Sequence, residues 1–273
     1  MNAKPVQRDA AVRRILVALN AVSDSQAAIE RAAAMAAEHE AELAGLFVED
    51  LDLLHLCELP GFEVMLSSGT TRRTDRGEME RQLRARAAAA REALERIAAA
   101  HHLRWSFEVR RTRMLKAVRE AAELADVVAA DMAGPGRVSG WPVRPMHRGV
   151  LAYYEGGASS ARVLALAVRA AVQQGMPLSV LVPVDDAAAA GEAATRVRAL
   201  LRHHEVELTI ERVQPGAAAL QRRLRGGGAP LLFMEAAGRL VASGALPALA
   251  AAPGCEVVLV SGGPQRPTAG EPD

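Results

Sequence analysis

The sequence predicts an α/β fold made of two tandem repeats of an open, mostly parallel, doubly wound sheet. Short apolar runs alternate with amphipathic helical segments along the whole chain, and a stretch near the N-terminus recurs after a constant offset. Half of the 273 residues are hydrophobic but only 3% are aromatic. The interior must therefore consist of Ala, Val and Leu, which is typical of helices packed closely on sheets.

The repeat is clearest where residues 13–50 align with residues 148–185 without a gap. Each copy has an apolar run, Ile15–Leu19 or Val150–Tyr154, then a Ser-rich turn, a helix and a second apolar run. Strand, helix and strand in this order predict a βαβ unit with parallel strands. We expect the turns to cap the helix starts and one face of each helix to be buried. The residues concerned are Ser23, Asp24, Ser25, Ser159 and Ser160 in the turns, Ile29, Ala32, Ala33 and Ala36 on the first helix, and Leu164, Ala167, Val168 and Ala171 on the second.

Both copies continue with the same order of elements. Each fourth strand ends on an acid, Asp131 or Glu235, and only the second copy adds a helix-like stretch at 237–251 and a fifth strand at 256–260. The preceding elements are helices at 76–100 and 188–203, alternating strands around Trp105, Phe107 and Val109 and around Val206, Leu208 and Ile210, helices at 113–124 and 216–225, and fourth strands at 127–130 and 231–234.

These elements divide the chain into a first repeat at 13–131, a linker at 132–147, a second repeat at 148–261 and a disordered tail at 262–273. Gly134, Pro135 and Pro142 interrupt any helix or strand in the linker. The first repeat therefore lacks its last helix and strand. Its open sheet edge needs a cover, either from the second repeat or from another subunit.

Composition excludes several classes of function. The formal net charge is +1 with 24% charged residues, so nothing indicates a nucleic-acid or membrane surface. The chain shows no signal peptide and no long apolar span. Cys57 and Cys255 lie far apart and fit a reducing compartment. We expect a cytoplasmic protein.

Three segments resemble a known family. The run Arg14–Asn20 followed by a Ser-rich helix start, the segment Ala41–Asp50, and the ending Ala251–Val260 are similar to the universal stress protein family. The likeness covers about 13–131 and 148–261. It implies an open five-stranded parallel sheet with helices on both faces, and often dimers or tandem pairs. Many members bind ATP or a related nucleotide at the carboxyl ends of the strands.

The resemblance also implies where a nucleotide would bind. The binding members have an Asp after the first strand and a Gly-rich loop after the fourth, which holds phosphates. In the first repeat Asn20 replaces the Asp and the loop is lost after Gly134. In the second repeat the cofactor-binding candidates are Glu155 at the Asp position, Gly238 at the loop start, and Ser243 and Gly244 further along it.

Other motifs favour ordinary structural roles. Gly134, Gly136 and Gly140 resemble a dinucleotide loop, but no helix can follow them. His55, Cys57 and Glu58 make a poor metal shell and fit a helical turn. The segment Asp50–Pro60 overhangs the expected crevice and is either a lid that completes the core or a partner contact through its apolar stripe.

We therefore expect a non-enzymatic, stress-protein-like regulatory or interaction protein, as a homo-oligomer such as a homodimer or bound to an unidentified protein partner, with no catalytic residues and no metal. The alternative is an adenine-nucleotide sensor that binds ATP or AMP through the second repeat. An α/β hydrolase or transferase is a third class, but the sequence shows no nucleophile–base pair for it.

Overall fold

The computed structural model describes residues 11–21, 25–59, 63–65, 71–73, 75–131, 149–157, 159–226, 231–250 and 255–262. The predicted linker at 132–147, nearly all of the predicted tail, and the turn residues Ser23 and Asp24 lie outside the described residues.

The first repeat has its elements in the predicted order. They are β1 (Arg14–Leu19), α1 (Ser25–Glu38), β2 (Glu42–Asp50), α2 (Leu51–Leu56), β3 (Glu63–Met65), β4 (Thr71–Arg73), α3 (Arg76–Ala100), β5 (Trp105–Thr112), α4 (Met114–Leu124) and β6 (Val127–Asp131). The antiparallel hairpin β3–β4 is an element that the sequence analysis missed. Its strands have three residues each, too few to produce a periodic signal.

The second repeat follows the same course and then extends it. Its elements are β7 (Val150–Tyr153), α5 (Ser160–Gln174), β8 (Leu178–Pro183), α6 (Ala187–Leu201), β9 (Leu208–Val213), α7 (Ala217–Gly226), β10 (Leu231–Glu235), α8 (Arg239–Ala242), α9 (Leu246–Ala250) and β11 (Glu256–Val260). The stretch expected to be one helix at 237–251 is thus two short helices. They are separated at Gly244, whose φ of 79° lies in the left-handed region that ends a helix.

Among the described residues, nine strands form one continuous sheet in the order β5-β2-β1-β6-β11-β10-β7-β8-β9. The strands β1 and β7, which the sequence aligned, occupy equivalent positions between a second strand and a fourth strand. The predicted fold class is confirmed. The two repeats are joined into one sheet, so of the two covers considered for the open edge of the first repeat, the second repeat supplies it.

A single strand makes this junction. β11 pairs parallel with β10 of its own repeat and antiparallel with β6 of the first repeat. Its central residue Val258 lies opposite Phe233 on one side and Ala129 on the other, so the two fourth strands are related by an approximate twofold axis through Val258. The fifth strand of the second repeat therefore also covers the edge that the first repeat leaves open.

Helices cover both faces of the sheet. α1, α3, α5 and α6 contribute to the core on one face, and α4, α7, α8 and α9 to the core on the other. The helix faces predicted for α1 and α5 are buried, and α3 buries a stripe that includes Met79, Leu83 and Leu94. Small residues allow the close approach: an added Cβ at Gly45 of β2 would lie 2.5 Å from Leu94 Cδ1 of α3. None of the described helices is long and apolar enough to span a membrane.

A buried ion pair fastens the two repeats beside the shared strand. Asp126, which precedes β6, accepts hydrogen bonds from the N–H groups of Arg13 and Arg14 at 2.9 and 3.1 Å. Its other carboxylate oxygen lies 3.1 Å from Nη2 of Arg162 on α5, and Arg162 also donates to the Ser261 carbonyl at 3.0 Å. We call Asp126 and Arg162 the inter-repeat clip. At the opposite end of β11, Arg31 of α1 bonds to the buried Glu256.

We predict that Arg162→Ala lowers the free energy of unfolding by about 3–5 kcal/mol, because it leaves the Asp126 carboxylate buried without its cation. Urea denaturation measures the loss. The control is Arg196→Ala, which removes an exposed ion pair with Glu192 on α6 and should cost less than about 1 kcal/mol. Equal losses in the two variants would contradict a structural role for the clip.

Candidate functional site

The candidate site lies in the crevice at the carboxyl ends of β7 and β10. These strands are parallel neighbours, so Glu155 after β7 and Glu235 at the end of β10 reach the same edge of the sheet. Here the chain leaves toward β8 on one side and toward β11 on the other. Such a switch point is where open α/β sheets bind ligands.

Glu155 fills the start of the loop that follows β10. Its side chain is 7% exposed, and its carboxylate accepts a hydrogen bond from the Leu240 N–H at 3.2 Å. The Arg239 Nε lies 3.7 Å from the same carboxylate, but the Arg239 side chain is largely exposed and contributes little. Glu155 thus takes the backbone N–H group at the first turn of α8 that an anionic ligand would need.

Gly238 is required by this close approach. An added Cβ at Gly238 would lie 2.0 Å from Glu155 Oε2 and 3.1 Å from the Glu235 carbonyl oxygen. Its φ is −68°, a value open to other residues, so space and not backbone conformation demands the glycine. The structure therefore brings Glu155 and Gly238 together, as the resemblance implied, but the space beside Gly238 holds a carboxylate.

A second carboxylate lies in the same crevice. Glu235 is buried and accepts a hydrogen bond from the Ser160 hydroxyl at the start of α5. A Cβ at Gly157 would lie 2.6 Å from Glu235 Oε2, so the loop after β7 closes directly over this carboxylate. We call Glu155 and Glu235 the carboxylate pair. The Ser159 side chain, in contrast, makes no capping bond to α5, so the expected capping role of Ser159 is wrong.

The surroundings raise the pKa of Glu155 above its ordinary value. Burial of the carboxyl group is the largest cause, and the neighbouring charge of Glu235 adds to it. The Leu240 N–H and the Arg239 guanidinium act in the opposite direction. The crevice is thus an unfavourable environment for negative charge.

Ser243 and Gly244 lie at the other end of α8 from Gly238. The Ser243 hydroxyl donates to the Leu240 carbonyl at 2.7 Å, and the Gly244 N–H donates to the Val241 carbonyl at 3.1 Å. Both residues end the helix in an ordinary way.

These residues do not fit a phosphate group. The Leu240 N–H is already paired with the Glu155 carboxylate, and the two acids of the carboxylate pair would repel a phosphate at close range. The N–H groups of Ser243 and Gly244 donate to the Arg239 and Val241 carbonyls, so both are engaged within the helix end.

The corresponding crevice of the first repeat is covered by a lid, formed by α2 and residues 57–59. Leu54 of the lid is fully buried and packs with Met79 and Leu83 of α3 and with Ala21 after β1. Asn20, at the position of the family's Asp, is buried as well. This packing favours the first interpretation of segment 50–60, a lid that completes the core, although Leu59 is 57% exposed. Gly134, Gly136 and Gly140 lie outside the described residues.

The lid offers little for metal or covalent chemistry. Its residues 51–57 form the expected helical turn, in which the Cys57 thiol donates to the Leu53 carbonyl at 3.3 Å. Burial, followed by the charges of Asp75 and Glu58, raises the pKa of Cys57 and keeps it a thiol. Within the described residues no three His, Cys, Asp or Glu side chains are close enough to hold a metal ion.

Sequence reasoning missed Glu235 and Ser160 as parts of this site. Glu235 was recognised as the acid that ends the fourth strand, and this signal could have placed it beside Glu155, because neighbouring parallel strands end at the same edge. Nothing in the sequence indicated that the hydroxyl of Ser160 would bond to a residue 75 positions away.

Comparison with known proteins finds similar chains among solved structures. No protein-family profile matches the sequence, and no curated protein matches it. Similar solved structures include a universal stress protein from Archaeoglobus fulgidus DSM 4304, which is 14% identical, with 91% of this chain and 96% of that chain covered and a TM-score of 0.48. A putative universal stress protein from Pseudomonas aeruginosa UCBPP-PA14 is 14% identical, with 92% and 94% covered and a TM-score of 0.45.

A third similar structure is part of a cation chloride cotransporter. The cytoplasmic domain of a prokaryotic cation chloride cotransporter is 8% identical, with 93% of this chain and 97% of that chain covered and a TM-score of 0.43. We transfer no ligand, partner or residue role from these structures to this chain, because a fold alone does not determine function.

We predict that Gly238→Ala destabilises the protein by about 1–3 kcal/mol, because the new methyl group overlaps Glu155 and meets the Glu235 carbonyl. Thermal unfolding measures the change, and adding Glu155→Ala should recover part of it. The control is Gly191→Ala in α6, where a Cβ meets nothing within 4 Å and should stabilise by about 0.5–1 kcal/mol. A neutral Gly238→Ala would disprove the close approach.

We predict that Glu155→Gln raises the free energy of unfolding at pH 7. Because the pKa of Glu155 is raised in the folded state, the neutral form is favoured there, and this stabilisation is lost as the pH rises through the raised pKa. The difference between variant and wild type should therefore vanish toward pH 4. Glu192→Gln, at an exposed site of α6, is the control for unfolding measured across pH. A destabilised Glu155→Gln at pH 7 would reverse this assignment.

Proposed function

We propose that this chain is a non-enzymatic regulatory or interaction protein of the universal-stress-protein type, whose two ligand crevices are closed by its own side chains. The observation that carries the proposal is the bond from the Leu240 N–H to the Glu155 carboxylate. An N–H group at a helix start is the feature by which such folds hold a phosphate, and here an internal anion has taken it.

The second support is that the two crevices are closed by different means. The first repeat uses the apolar lid, with Leu54 packed on Met79 and Leu83, and the second uses the carboxylate pair. In each crevice the space is filled by side chains that already pack against the core or form hydrogen bonds within the chain. The chain retains the fold while its function rests on surfaces outside the crevices.

We propose no catalysis because a substrate has no access to the candidate nucleophiles. Ser160 has a carboxylate partner, Glu235, but Ser160 is only 1% exposed, so a substrate does not reach its hydroxyl. Cys57 is held as a thiol by its surroundings. As a further part of the proposal we place the protein in the cytoplasm and in a stress response, in keeping with two cysteines that do not form a disulfide.

The test is a thermal-shift titration with ATP, AMP and cyclic AMP. We expect no shift of Tm at millimolar nucleotide, since a ligand that binds only the folded chain must raise Tm. A saturable rise that is lost in Gly244→Val would instead support the nucleotide sensor. The variant Glu155→Ala tests the cause: once the carboxylate is removed, any gain of phosphate or nucleotide binding would identify Glu155 as the block.

A further inference from the structure

The edge strand β5 carries a row of backbone groups that no strand among the described residues pairs with. Within that part of the chain β5 ends the large sheet and pairs with β2 alone, in parallel. The Leu43 N–H of β2 donates to the Arg104 carbonyl at 2.9 Å, so even-numbered residues direct their backbone groups at β2. The odd-numbered residues Trp105, Phe107, Val109 and Arg111 therefore direct their N–H and C=O groups away from the sheet.

This edge has only part of the usual protection against pairing. β5 is eight residues long and contains no Pro and no Gly, although it carries the charged residues Glu108, Arg110 and Arg111. Val109, which alternates with Trp105 and Phe107 along the strand, is 46% exposed. An exposed β-branched side chain in the middle of an open edge is a favourable site for strand addition.

The charges on the strand select one self-pairing register. When β5 runs antiparallel to a copy of itself with Val109 opposite Val109, each outward-directed residue meets another outward-directed residue, and the backbone bonds form. Glu108 then lies opposite Arg110 of the second copy, as a non-hydrogen-bonded pair with the side chains close together. Registers shifted to either side place Glu108 opposite Glu108, or Arg110 opposite Arg110.

The same register suits the remaining positions. Phe107 lies opposite Arg111 and Ser106 lies opposite Thr112, so no like charges meet at these positions. Arg111 keeps its bonds to Glu49 and Glu80, and the Ser106 hydroxyl keeps its bond to Glu42, within each chain. Glu108 and Arg110 already point to one face of β5, where they bond to each other at 2.9–3.0 Å. A second copy would turn this pair into a group of four alternating charges.

We propose that β5 is a homodimer interface, at which the β5 strands of two copies pair antiparallel about Val109 and extend the sheet across both chains. This inference deepens the proposed interaction role by naming its partner as a second copy of this chain. The fifth strand β11 is not available for such a contact, since both of its edges are paired within the chain.

The opposite edge of the sheet does not offer the same contact. The Leu178 N–H donates to the Glu207 carbonyl at 2.8 Å, so in β9 the even-numbered residues face outward. No register of β9 that keeps this alternation places Glu211 opposite Arg212. Glu211 is moreover already held by Arg223 at 2.8 Å. β9 therefore serves as the matched control edge.

The first experiment compares proline substitutions by sedimentation equilibrium, from about 1 to about 100 μM chain, a range suited to a small interface. Val109→Pro removes an outward N–H and leaves the bonds to β2 intact. We expect a concentration-dependent dimer for the wild type, a monomer for Val109→Pro, and the wild-type dimer for Arg212→Pro on β9. A monomeric wild type, or a dimer that survives Val109→Pro, would overturn the proposal.

The second experiment tests the register with charges. Glu108→Arg alone and Arg110→Glu alone each place like charges across the interface, so each should be monomeric. An equimolar mixture of the two should form a heterodimer, and the double variant should again self-associate. If neither the mixture nor the double variant regains the dimer, the register is wrong. Circular dichroism confirms folding of each variant, and nucleotide titration stays a separate readout, so failure here leaves the proposed closed crevices standing.

Discussion

The pairing of one strand with two repeats is the constraint on which the structure depends. A sheet edge inside a protein must have its N–H and C=O groups paired, and the first repeat does not supply a fifth strand for this purpose among its described residues. β11 pairs with the backbone groups of β10 on one side and with those of β6 on the other. The inter-repeat clip then fixes the register, because Asp126 and Arg162 bring the start of β6, the end of β11 and α5 to one buried point.

The crevices follow a related principle. Open α/β sheets leave a gap at the carboxyl ends of the strands, and this gap needs an occupant. In the second repeat the occupant is the carboxylate pair, which satisfies the Leu240 N–H and the Ser160 hydroxyl at the cost of burying charge. In the first repeat it is the apolar lid. The outer strand β5 is an edge of this sheet among the described residues.

Much of the fold could be predicted, because local patterns carry it. The buried faces of α1, α3 and α5 follow a helical period, and the strands around Ile15 and Val150 share their flanking sequence. The site was predictable in part. Glu155 and Gly238 were found from the resemblance, but their contact with each other was not, since it depends on how α8 turns back over the end of β7. The exposure of Val109 was missed because alternation in an edge strand does not reveal which positions a helix covers.

The sequence by itself determined the order of the main elements and the duplicated βαβ unit, because each is encoded in residues close together along the chain. Only the tertiary structure decided that β11 pairs with both repeats, that Arg162 reaches Asp126, and that the Glu155 carboxylate accepts the Leu240 N–H. Each of these contacts joins groups that lie far apart in the sequence. Their pairing depends on which groups the packed layers bring within hydrogen-bonding distance.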